Sequence, residues 1–133
     1  MRITLRSLFL ALAVLAAAAL TTKTASAASV RVPFNFEING KTLPAGTYSV
    51  TRDLNGSFVT LESADCKYAY TWYALRGEPY SPDSNITLRF DEYGNEYALQ
   101  SVQFNSLITP RLDKHFSERH SGERATMHTV QGQ

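Results

Sequence analysis

Residues 86–104 constrain the fold of this chain more than any other stretch. Gly94-Asn95 is a two-residue turn between two runs of alternating apolar and polar residues, which specifies an antiparallel hairpin. That turn sets Tyr93 opposite Glu96 and Phe90 opposite Leu99. Continued without interruption, the same register would set Leu88 against Ser101 and Ile86 against Gln103. The returning strand changes parity instead, from Tyr97 and Leu99 to Val102 and Phe104. A side-chain period of two cannot change faces without an added residue. The sequence therefore predicts a β-bulge near Gln100-Ser101, with Leu88 opposite Val102 and Ile86 opposite Phe104.

The rest of the chain reads in the same way. Val30, Val32, Phe34, Phe36 and Ile38 alternate with Arg31, Pro33, Asn35 and Glu37, which predicts one half-buried strand. Pro33 cannot donate to a ladder, so its strand is expected to lie at an edge or to pair on one side only there, and an edge would be open to a partner's strand. Asn39-Gly40 and Leu43-Pro44-Ala45-Gly46 are turns. Tyr48 and Val50 open a strand that Asn55-Gly56 joins to residues 58–61. Over residues 67–75, Tyr68, Tyr70 and Trp72 share one face and Ala69, Thr71 and Tyr73 the other. Bulk on both faces suggests a central strand. Two prolines and a glycine make residues 77–85 a loop. Thr109 and Pro110 are suited to starting a short helix, with Leu112 and Phe116 on one face and Gly122 at its end. Residues 126–133 are expected to be loose. The expected fold is all-β, a single small antiparallel barrel or sandwich of about six or seven strands over residues 28–108. A C-terminal appendage over 109–133, holding the short helix, follows it.

The N-terminus reads as an export signal. Arg2 and Arg6 precede an uncharged run from Leu8 to Leu20, and Ala25-Ser26-Ala27 supplies small residues for cleavage after Ala27. The run is shorter than the ~20 residues of a spanning helix, so no membrane span is expected after cleavage. The whole chain has 13 basic and 12 acidic residues. The leader holds Arg2, Arg6 and Lys23 and no acid, so the mature chain keeps 10 and 12, and its net charge moves from +1 to −2. No basic patch remains to hold nucleic acid. The early arginines and Ala-rich run suggest a bacterial protein of the periplasm or the extracellular medium. Cys66 is the only cysteine, so no internal disulfide forms. It is expected to be buried, with pairing between chains as the alternative.

Three segments carry a family resemblance: Val32-Pro33-Phe34-Asn35-Phe36, then Thr42-Leu43-Pro44-Ala45-Gly46-Thr47-Tyr48, then residues 88–99 from Leu88-Arg89-Phe90 through Tyr93-Gly94-Asn95 to Tyr97-Ala98-Leu99. In this order and spacing the chain resembles small exported proteins of soil-dwelling acidobacteria that have no characterised activity. Ser121-Gly122-Glu123-Arg124-Ala125 is a looser match to their tails. The resemblance implies export and a compact β domain, and it transfers no residue role.

No constellation amounts to a catalytic signature. His115, His120 and His128, with Asp113, Glu118 and Glu123, have the residue types of a metal site. Five residues apart, however, His115 and His120 diverge by about 140° on a helix and lie on opposite faces of a strand. A solvated polar helix is the simpler reading, and no metal or other cofactor is expected. There is no G-x-S-x-G elbow. Asp91-Glu92 adjoins a hairpin turn, where acids are ordinarily solvated. The best binding candidates are Tyr68, Tyr70 and Trp72, extended by Tyr80 on the following loop. An exposed aromatic row would stack on sugar rings or hold an apolar peptide, whereas a buried one would fill the core. The expectation is an exported, non-enzymatic binding, structural or envelope-interaction module, its partner an envelope polymer, a carbohydrate or a protein. A small periplasmic hydrolase is the alternative.

Overall fold

The computed structural model describes residues 27–77 and 85–133. The leader expected over residues 1–27 lies outside the described residues except for Ala27, which opens the first strand. Tyr80 and most of its loop lie outside them as well.

Two sheets form an all-β sandwich, not a closed barrel. The first sheet joins β1 (Ala27–Val32), β4 (Gly46–Arg52), β5 (Phe58–Ser63) and β6 (Ala69–Tyr73) in that order. The second runs β11 (Thr126–Gly132), β8 (Ile86–Tyr93), β9 (Glu96–Phe104), β10 (Leu107–Ile108) and β7 (Leu75–Arg76). A small hairpin of β2 (Phe36–Ile38) and β3 (Lys41–Leu43) adds to the second sheet where Glu37 meets Ala98 of β9 in parallel. Seven of these strands are five residues or longer, and the others are two- or three-residue pieces, which accounts for the six or seven expected.

The predicted bulge is present. Tyr93 faces Glu96 and Phe90 faces Leu99; the register then shifts so that Leu88 faces Val102 and Ile86 faces Phe104. The parity switch keeps Ile86, Leu88, Phe90, Leu99, Val102 and Phe104 all buried on the inner face. The extra residue, Gln100, turns its carbonyl out to accept the Leu112 N–H at 2.8 Å. Two residues on, Val102 N–H donates to Thr109 Oγ1 at 3.0 Å, and Thr109 N–H returns a bond to the Val102 carbonyl. Thr109 therefore caps no helix: it is buried and fastens residues 109–112 along β9. Thr109→Val keeps the shape and orphans a buried N–H. It is expected to lower stability by about 1–3 kcal/mol in urea unfolding, the desolvation cost of an unpaired buried donor.

Several expectations are corrected by long-range pairing. The strand expected over Val30 to Ile38 breaks at Pro33, and its halves enter different sheets. Its parity survives, since Val30, Val32, Phe36 and Ile38 all reach the core. The edge expectation holds for the first half: β1 is an outer strand of the first sheet, paired with β4, and its free side donates from Ser29 N–H to the Gln133 carbonyl; β2 is held by β3 and β9. Residues 126–133 are not loose. β11 pairs with β8 over seven residues, because β8 would otherwise lack a neighbour on that side. At its end Gly132 comes so near β1 that an added Cβ would lie 2.3 Å from the Ser29 carbonyl oxygen, an approach only glycine allows. The strand of residues 67–75 is not central. β6 is an outer strand of the first sheet, and Tyr73 on its outer face is exposed. Cys66 is exposed, not buried. It sits in the β5–β6 turn with φ +60° and its thiol donates to Glu62 Oε1. That hydrogen bond to a carboxylate raises the thiol's pKa, so the group stays protonated.

Candidate functional site

The inner faces consume most of the large side chains, so a site has to lie on an outer face or at an end of the sandwich. One such place is where the C-terminal segment crosses the outer face of the β8–β9 hairpin. The six-residue helix α1 (Lys114–Arg119) is there, starting four residues later than Pro110. A helix this short does not persist alone. Phe116, buried against Tyr93 (ring centroids 5.5 Å apart) and His120 (4.7 Å), anchors it. His120 stacks on Tyr93 at 4.9 Å and reaches Glu96 at 3.1 Å and Glu123 at 3.3 Å. His115 points outward toward Glu118. His128 lies on β11, pairs with Glu92 and packs edge-on against Phe34 and Tyr97. The three histidines thus serve three separate contacts. Among the described residues no three His, Cys, Asp or Glu side chains group as metal ligands would.

Between α1, the β2–β3 turn and the start of β9 lies a cleft of about 460 Å³. Ala98, Leu112 and Phe116 give it an apolar floor. Its rim is polar: Glu37 from β2, Asn39 from the turn, and His115 and Arg119 from the helix. Arg119 bonds Glu37 across the rim at 2.5 Å and lies over the Phe116 ring at 5.5 Å. Asn39 (φ +51°) and Gly40 (φ +83°) form the tight left-handed turn that brings β2 and β3 close enough to make this wall.

A buried charge cluster adjoins the cleft, whose lining includes Asp113. Asp91, on the outer face of β8, is 4% exposed, so it is not the solvated turn acid its position suggests. Asp113 stands at the start of α1 with its side chain wholly buried. Its carboxylate makes no cap hydrogen bond to the helix. It accepts instead from Arg111 Nε at 2.7 Å, while Arg111 Nη2 donates to Asp91 Oδ2 at 3.1 Å. Gln100 Nε2 donates to Asp91 at 3.3 Å. One guanidinium thus serves two carboxyls. Burial, followed by the adjacent Asp113, pushes Asp91 up to about 6, against the lowering effect of Arg111. The cluster leaves little trace in the sequence. Its only linear trace is Arg111-x-Asp113, which is silent about Asp91 twenty residues away.

The aromatic row lies elsewhere. Tyr70 and Trp72 on edge strand β6, and Tyr68 just before it, do share one face, the inner one, where they are half-buried against the core. Tyr70 and Trp72 stack at 5.9 Å with their planes 9° apart, and Lys41 sits over the Tyr68 ring. The row and the α1 cleft do not share a lining residue.

The fold and site define an antiparallel β-sandwich with an amphipathic cleft under a short C-terminal helix. No protein-family model matches the chain, and comparison with curated proteins and with solved structures gives no match.

Proposed function

We propose that the protein is an exported, non-enzymatic binding module, and that the α1 cleft holds a small amphipathic unit such as one sugar or short peptide segment of an envelope polymer. The leader sequence supports export. The cleft supports binding: it is within the size range of small-ligand sites, with an apolar floor and a few polar groups at the rim to orient an occupant. The buried acids count against a hydrolase. Their side chains are 6% and 0% exposed, so no substrate reaches the pair. A glycosidase needs two carboxyls free to face its cleft; of the acids lining this one, Asp113 is wholly buried and Glu37 is paired with Arg119.

The test is NMR shift mapping of the mature chain with saccharide and peptide fragments of a bacterial envelope. Shifts are expected at Ala98, Leu112, Phe116 and Arg119, and are expected to weaken in Arg119→Ala, which removes an exposed polar group of the rim. Shifts gathered at Tyr70 and Trp72 would move the site to the aromatic row. No shift from any fragment would refute the cleft as a binding site.

A further inference from the structure

We propose that Asp91 and Asp113 share a single proton, and that this proton is a latch fastening the α1 segment, and with it one wall of the cleft, to the β8–β9 hairpin. Three observations of geometry converge on it. The cluster holds two buried acids and one cation, so with both acids ionised it would carry an uncompensated negative charge. Asp113 Oδ2 is fully buried and has no hydrogen-bond donor from the protein. The same guanidinium bonds both carboxyls, from Nε at 2.7 Å and from Nη2 at 3.1 Å, which brings the two together, so one proton between them supplies the missing donor. The raised Asp91 carboxyl agrees with that arrangement. An aspartate at a helix start ordinarily caps the helix; here the carboxylate is diverted to the sheet, so the helix is tied to β8 through it.

The groups facing the pair come from every element around it. Arg111 lies on the same segment as Asp113, and Arg89 and Tyr93 share the outer face of β8 with Asp91. From β9 come Gln100 and Ala98, and from β11 comes Met127, in register with Asp91. The helix turns only Phe116 inward and leaves Lys114, His115, Glu118 and Arg119 exposed. Arg111 is the cation that bonds both members of the pair.

The sign of the effect follows from the raised carboxyl. The folded chain keeps a proton that the unfolded chain has lost, so the latch is closed in mild acid and weakens as pH rises through about 6. With both acids ionised their repulsion loosens residues 111–119. The control of ligand access rests on the cleft being a ligand site; the proton site itself does not, and the two are tested separately.

The experiment is ¹³C NMR titration of the aspartate side-chain carboxyls in the mature chain, with amide hydrogen exchange at Leu112 and Ser117 corrected for intrinsic rate. The pair is expected to release one proton between about pH 5 and about pH 7.5, and protection at the two amides to fall about tenfold or more over that range. Asp113→Asn and Asp91→Asn each place an amide donor where the proton would be. Both are expected to hold protection constant over the same range. Full ionisation of both carboxyls by about pH 5 would overturn the proposal, as the whole of such a shift would then be missing. So would flat protection in the native chain, or native pH dependence in the two variants. None of these outcomes depends on ligand, so a failed fragment screen leaves this result standing.

Discussion

Phe36→Ala is expected to lower folding stability by about 3–5 kcal/mol, the range for deleting a buried phenylalanine side chain. Phe36 is 1% exposed and stands where the chain passes from one sheet to the other. Its ring meets Tyr48 of the first sheet edge-on at 5.3 Å and Phe90 of the second at 5.2 Å. Phe34, just before it, meets Phe90 at 4.9 Å and stacks on Tyr97 at 3.9 Å, so neighbouring rings are already engaged and do not swing in to fill the void. A domain of this size has about 5–15 kcal/mol in total, so the variant approaches the limit of folding. Urea unfolding followed by Trp72 fluorescence measures the loss. A loss below about 1 kcal/mol would mean that the site collapses, and that the sheets are held together without this ring.

Arg111→Met is expected to be the most damaging polar substitution, and its cost is expected to depend on pH. Removing one partner of a buried ion pair costs about 3–5 kcal/mol, because the other charge is left uncompensated. Arg111 is itself 46% exposed, so water replaces part of its effect, and about 2–3 kcal/mol is the expected loss at neutral pH. Asp91 is shielded from solvent and takes up a proton as pH falls through its raised value of about 6. Neutral acids need the guanidinium less, so the gap between variant and native chain should narrow in mild acid. Thermal unfolding of both proteins across the pH range reads this directly. A penalty that stays constant, or grows, as the medium turns acidic would contradict the account of the cluster.

Both variants act on features of different legibility. Phe36 was expected in the core from its place in the alternation with Val32, Phe34 and Ile38, a pattern of period two that needs no knowledge of the partner strand. The bulge at Gln100 was legible for a similar reason. A turn of known length fixes register, and a change of apolar parity then requires an extra residue. Arg111, Asp91 and Asp113 were not legible as a cluster, because an acid near a turn has the same local pattern whether solvated or covered. The cover comes from residues 109–119, and nothing local to Asp91 encodes their arrival. The aromatic row shows the intermediate case: its shared face was readable, but its half-burial depends on β6 being an edge.

The sequence alone determined the class of fold, the turns, the faces of the strands and the register of the central hairpin. These are set by backbone geometry within a few residues. Tertiary structure alone decided how strands join. It split residues 30–38 between two sheets, paired residues 126–132 with β8, left Cys66 in the open, and placed two acids around one arginine. Each of those outcomes depends on which distant surface is left uncovered once the hairpins have formed, and a local period carries no record of that.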